Sequence, residues 1–241
     1  MAAELRTERR GATLFLTLSD PASRNRIGSQ ALAAGVEALN VADSDPALRC
    51  VVLRGDGADF CAGAALERTG GSPADAAAAQ WRMTEQIAQF AEALQAFPGP
   101  VIAAVEGSTA GAGLALLLAC DLVVAASDAR FEAGLDLHAT DRVARSLFAE
   151  SLPRTLALEW LWQLDAPQFL QRLHACAAIN LVCPPGRALA EAEAMAARLC
   201  ALGDAVLERA KAEVDAARVR PLATRIAQLR DRLTAQPARP A

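Results

Sequence analysis

At 241 residues, 53% of them hydrophobic, the chain is long enough to bury the core of one large α/β domain, and no uninterrupted apolar run approaches the ~18 residues that a membrane-spanning helix needs. A net charge of −4 without an extended Lys/Arg run argues against nucleic acid as a partner, and Lys211, the only lysine, leaves no glycine-lysine pair for a phosphate-binding loop. A Schiff-base mechanism would rest on that one residue, and His138 and His174, the only histidines, exclude a multi-histidine metal centre.

The first ten residues lack the apolar stretch of a secretory signal, and the six cysteines show no Cys-x-x-Cys pair. Both features make a cytoplasmic protein with reduced, buried thiols the expectation. Residues 13–18 are β-compatible and Asp20-Pro21 ends them with a turn signal. Ser29 is placed to cap a helix through Asn40, and residues 50–53 read as a buried strand. Residues 73–96 read as one or two amphipathic helices, closed by Phe97-Pro98-Gly99-Pro100. A strand at 101–105, a helix at 112–119 and a strand at 122–126 complete a strand-helix rhythm that argues for a parallel sheet flanked by helices. From Asp141 onward the pattern is helical, over 143–152, 154–162, 167–176, 187–202 and 204–218. Trp160 and Trp162 are expected in the core or against a neighbouring subunit. The tail, 221–241, carries the periodic residues Ile226, Leu229 and Leu233 before a proline-rich end, the pattern of a surface helix followed by disorder.

Two loops carry the chemistry. Between the strand at 101–105 and the helix at 112–119, the small residues Ala110, Gly111, Ala112 and Gly113 leave backbone N–H groups at a helix start, where an anion can approach without meeting a side chain. Upstream, the strand at 50–53 runs into a similar turn, Phe60-Cys61-Ala62-Gly63-Ala64. This turn, together with the stretch from Gly107 to Ala119-Cys120-Asp121, resembles the two signatures of the crotonase family, also called the enoyl-CoA hydratase/isomerase family. Asn25-Arg26, Leu152-Pro153-Arg154 and residues 179–184 fall in family order, so the resemblance covers roughly residues 10–215.

The resemblance implies a crotonase-like spiral of ββα units over residues 1–140 carrying an acyl-CoA site, and a helical region over 141–220 that mediates a homotrimer or a dimer of trimers. It makes the backbone amides of Ala64 and Ala112 the two donors of an oxyanion hole. Coenzyme A enters as part of the thioester substrate, with no permanent cofactor and no metal. Its adenosine and phosphate moieties fall near Arg24 and Arg26 and along Ala62, Gly63 and Leu66, and Gly111 counts among the coenzyme-binding residues. Arg24 pairs with a phosphate in this reading, or stays a solvated arginine.

The family's hydratases use two glutamates. Here the first position is Ala115 and the second falls near Leu135, with Asp136 next to it. Loop 131–142 also holds Glu132, His138 and Asp141. Asp136 and Asp141 are the candidates for a single catalytic carboxylate and His138 for a general base or its partner. The plainer readings are a turn aspartate for Asp136, the N-cap of helix 143–152 for Asp141, and a half-buried structural histidine for His138. Adding water needs a base for the water and an acid for the α-carbon. The sequence therefore points to an isomerase or lyase acting through a thioester enolate. The alternatives are a catalytically silent acyl-CoA-binding paralogue and a hydratase with shifted carboxylates. Pocket shape is expected from the helices around residues 80–97 and 143–162.

Overall fold

The computed structural model describes residues 2–66, 72–132, 141–162 and 169–217, the side chains of Asp141 and Asp204 apart. A hairpin opens the chain: β1 (Glu4–Arg10) turns at Gly11 into β2 (Thr13–Ser19), and the two pair antiparallel. β1 is absent from the sequence reading because Glu4, Arg6, Glu8, Arg9 and Arg10 leave it no apolar face. It forms as an exposed edge strand against the buried β2, and its charges keep that edge from pairing further.

The expected alternation follows. Helix α1 (Ser29–Asp43) leads to β3 (Cys50–Gly55), α2 (Pro73–Ala96) to β4 (Val101–Val105), then come β5 (Ser108–Ala110), α3 (Ala112–Ala119), β6 (Leu122–Ala126) and β7 (Arg130–Glu132). The C-terminal third holds α4 (Asp141–Ser151), α5 (Arg154–Leu161), α6 (Phe169–Ala175), β8 (Leu181–Cys183), α7 (Ala188–Cys200) and α8 (Asp204–Ala217). One sheet has the order β1-β2-β3-β4-β6-β8, parallel throughout beyond the first pair, and β5 and β7 form a second, parallel pair. The helical reading of the C-terminal third missed β8, whose three residues are too short to show a period. Val124, Ala125 and Ala126 of β6 supply its register.

Successive residues of a strand point to opposite faces, so the sheet is covered on both sides. Leu16, Val51, Leu53, Val101 and Ala103 face α1, α2, α3 and α4. Phe15, Cys50, Val52, Ile102 and Val124 face α7, whose Ala188, Ala192 and Ala196 are small enough to let the helix lie close to the sheet. Trp160 is buried between Phe148 and Phe169, while Trp162 is exposed. Among the described residues no helix is long and apolar enough to cross a membrane. The expected tail helix lies outside the described residues.

Helix starts follow local chemistry with one correction. Ser29 is the first residue of α1 and not its cap; Gly28 takes the cap position and, lacking a side chain, makes no side-chain bond to the helix start. At α2 the Ser72 hydroxyl accepts from Asp75 N at 3.3 Å and the Asp75 carboxylate accepts from Ser72 N at 2.8 Å, a reciprocal cap that makes 73–96 one helix. Ser72→Ala is expected to cost about 1 kcal/mol in urea unfolding. An unchanged midpoint would contradict that role.

Candidate functional site

The site is assembled where two loops are bound to each other by backbone. The chain leaving β3 runs beside β5: Phe60 N and Cys61 N donate to the Ser108 carbonyl at 3.2 and 3.4 Å, and Ala110 N donates to the Cys61 carbonyl at 3.0 Å. Gly111 then turns the chain at φ +46° into α3. A Cβ on Gly113 would stand 2.4 Å from the Cys61 carbonyl oxygen, so only glycine lets the helix start approach the loop this closely.

These contacts bring Ala62, Gly63 and Ala64 together with Gly111 and Ala112. Among the described residues neither the Ala64 nor the Ala112 N–H has a hydrogen-bond acceptor, although Ala64 is 8% exposed and Ala112 fully buried. Buried N–H groups are rarely left unpaired. Ile27 explains how Ala64 stays free: Ile27 N donates to Gly63 O and Ala65 N donates to Ile27 O, so the bridge uses the residues on either side of Ala64. For Ala112 the reason is its place as the first residue of a helix, where no acceptor exists within the helix. Ala115, one turn on, is wholly buried in the apolar core and offers no acid or base.

The turn after β2 is stitched to the same loop. Arg24 and Asn25 both have φ +56°, a left-handed pair outside glycine. Buried Asn25 holds it: its Oδ1 accepts from Asp20 N at 2.9 Å, and its Nδ2 donates to the carbonyls of Asp56 and Asp59 at 2.8 and 2.7 Å. Ala62 N donates to the Arg24 carbonyl at 2.9 Å. Leu66 is half-buried against the core.

Arg26 is exposed and makes no ion pair among the described residues. Arg24 is not simply solvated: its Nε donates to Asp59 Oδ2 at 3.1 Å and its Nη2 lies 3.6 Å from Glu132 Oε1. Asp59 Oδ1 accepts from Ser108 N at 2.8 Å. Burial pushes the Asp59 carboxyl up, but the Ser108 N–H and the Arg24 guanidinium outweigh it and hold it below the usual range. Asp59 and Asn25 were not singled out as site residues in the sequence. Asn25 stood there as part of a motif, and nothing marked Asp59.

Of the proton-transfer candidates, Asp136 and His138 lie outside the described residues. Asp141 is the first residue of α4, so the helix begins two residues before its expected start. Lys211 is committed elsewhere. Its ammonium donates to Asp121 Oδ2 at 2.8 Å and to the Gly99 carbonyl at 3.3 Å. Burial pushes the Asp121 carboxyl up against the pull of Lys211. That pair lies in the wall of a cavity of about 850 Å³ lined also by Leu117, Leu118, Val206 and Val214. The cavity touches α2 and α4, and on α3 it is lined from Leu117 onward, five residues or about 7.5 Å along the helix from Ala112.

Comparison with known proteins gives a consistent picture. The family described as enoyl-CoA hydratase/isomerase matches residues 8–239. The chain is 33% identical over 207 residues to enoyl-CoA hydratase EchA19 of Mycobacterium tuberculosis, covering 81% of this chain and 74% of that protein. It is 29% identical over 195 residues to a putative enoyl-CoA hydratase of Thermus thermophilus, covering 78% and 74%. Among solved structures, an enoyl-CoA hydratase from Polaromonas sp. JS666 superposes with a TM-score of 0.78 at 38% identity, over 96% of this chain and 90% of that one.

Proposed function

Because the chain belongs to the enoyl-CoA hydratase/isomerase family, whose fold it shares, we propose that it holds the oxygen of an acyl-CoA thioester between the N–H groups of Ala64 and Ala112. Removing a proton next to a thioester carbonyl puts negative charge on that oxygen. Two fixed donors, with the positive end of the α3 dipole behind one of them, stabilise the enolate without reorganising. The observation that carries this reading is the pair of buried, acceptor-free amides on two loops bound to each other.

The coenzyme lies along Ala62, Gly63, Leu66 and Gly111, with its phosphates toward Arg24 and Arg26. The acid-base group comes from Asp136, Asp141 or His138. Ala115 offers no carboxylate, which favours a reaction with one proton-carrying group. Such a group takes a proton from one carbon and returns it to another, or protonates the enolate left by carbon-carbon cleavage. An isomerase or lyase is therefore the leading reading. A hydratase using shifted carboxylates of loop 131–142 is the second, because the relatives are named hydratases. The helical region after residue 141 joins three copies, as a homotrimer or a dimer of trimers.

Incubation with 2-enoyl- and 3-enoyl-CoA thioesters in D₂O, followed by mass and double-bond position, separates these readings. Bond migration is the expected result, with deuterium entering wherever the proton carried by the base exchanges with solvent before it is returned. Added water would establish the hydratase. Tight binding with no change in any thioester would overturn turnover and leave an acyl-CoA-binding paralogue.

A further inference from the structure

We propose that Asp59 is a positioning residue that couples the arginine-bearing turn to the oxyanion amides, so that a phosphate held at Arg24 tightens the site where the thioester oxygen sits. The inference rests on the reading above and adds to it a route between the coenzyme's phosphates and the reacting end.

The route is a chain of direct contacts. Asp59 Oδ2 takes the Arg24 Nε at 3.1 Å, and Asp59 Oδ1 takes the Ser108 N–H at 2.8 Å. Ser108 is 6% exposed and opens β5, the strand that leads through Gly111 to Ala112. The Ser108 carbonyl in turn accepts from Phe60 and Cys61, on the loop that carries Ala64. One carboxylate thus fixes the spacing of both segments that carry the amides. The second arm of Arg24 reaches Glu132 at 3.6 Å, opposite Ala110 in the β5–β7 register, so β7 is tied to the same node.

Two features mark the node as more than a surface ion pair. Arg24 and Asn25 both hold left-handed backbone conformations, which residues other than glycine adopt rarely, and such conformations concentrate at working sites. The Arg24 side chain remains 47% exposed while Asp59 is 21% exposed, so a phosphate reaches the guanidinium from solvent with the carboxylate behind it. A guanidinium binds phosphate through paired donors. Engaging those donors repositions Arg24 against Asp59, and Asp59 passes the change to Ser108.

The test uses two readouts on wild type and Asp59→Asn, which keeps an oxygen for Ser108 N but loses the charge facing Arg24. The first is amide hydrogen exchange with and without adenosine 3′,5′-bisphosphate, which carries phosphates and no acyl group. The nucleotide is expected to slow exchange at residues 108–112 in wild type and not in Asp59→Asn. Protection confined to residues 22–26 in wild type would overturn the coupling. The second is turnover of a CoA thioester against the matching pantetheine thioester, which lacks the phosphates of the nucleotide. Asp59→Asn is expected to lower kcat for the CoA substrate about tenfold, the usual scale of coupling between sites, with KM and the pantetheine rate little changed. An equal fall for both substrates means a structural role only and overturns the proposal. If wild type turns over neither thioester, the functional reading fails while the exchange experiment still judges the coupling.

Discussion

Ala112→Pro is expected to lower kcat/KM for an acyl-CoA thioester by about 10²–10³-fold while the protein stays folded, the scale of losing one oxyanion donor. Proline removes the N–H and puts ring carbons where the thioester oxygen would accept from it. At the first position of α3 that N–H has no acceptor among the described residues, so the helix loses no hydrogen bond. The fixed φ of proline suits a helix start, and Gly111 before it, at φ +46° and ψ −112°, has no Cβ to meet the ring. Ala112→Gly, which keeps the N–H, is the matching control and should retain activity within a few-fold. Circular dichroism and thermal unfolding establish that both variants fold. A folded Ala112→Pro enzyme with wild-type turnover would remove Ala112 from the oxyanion hole.

Asn25→Ala is expected to destabilise the protein by about 3–5 kcal/mol. The side chain is fully buried and makes three hydrogen bonds, to Asp20 N and to the carbonyls of Asp56 and Asp59. Leaving such part-buried partners unpaired costs up to about 1–3 kcal/mol each. At φ +56° alanine is also less at ease than asparagine, whose short polar side chain visits the left-handed region more readily. For a chain of this size the loss corresponds to roughly 10 °C in Tm. Urea and thermal unfolding measure it, and a change below about 1 kcal/mol would show that Asn25 does not hold the turn. Asn25 Nδ2 donates to the Asp59 carbonyl at 2.7 Å, so the same variant should weaken the CoA-dependent part of the rate.

What the sequence disclosed follows from where the physical signal is local. The run from Val101 through the small residues 110–113 to Ala126 carries its own punctuation, and strand, helix and strand formed at the bounds read from it. β1 was hidden because an edge strand exposed on both faces has no apolar alternation. β5, β7 and β8, three residues each, exist only through their partners. The two small-residue loops were legible for the same local reason. The Arg24–Asp59 pair was not, since its members are 35 residues apart and nothing in either neighbourhood announces the other. The sequence alone leaves Arg24 to a phosphate or to solvent, and the structure adds a carboxylate partner, Asp59. Ala115 is buried among apolar side chains, so it leaves acid-base work to other residues. Of the candidates for that work only Asp141 falls within the described residues.

The central claim is that one thioester oxygen sits between the amides of Ala64 and Ala112. A crystal structure with a saturated, unreactive acyl-CoA tests it most directly. The expected result is the thioester oxygen at about 2.7–3.1 Å from both nitrogens, with the coenzyme's phosphates beside Arg24 and Arg26. A thioester seated elsewhere, with its acyl chain in the Asp121–Lys211 cavity and both amides unengaged, would contradict it.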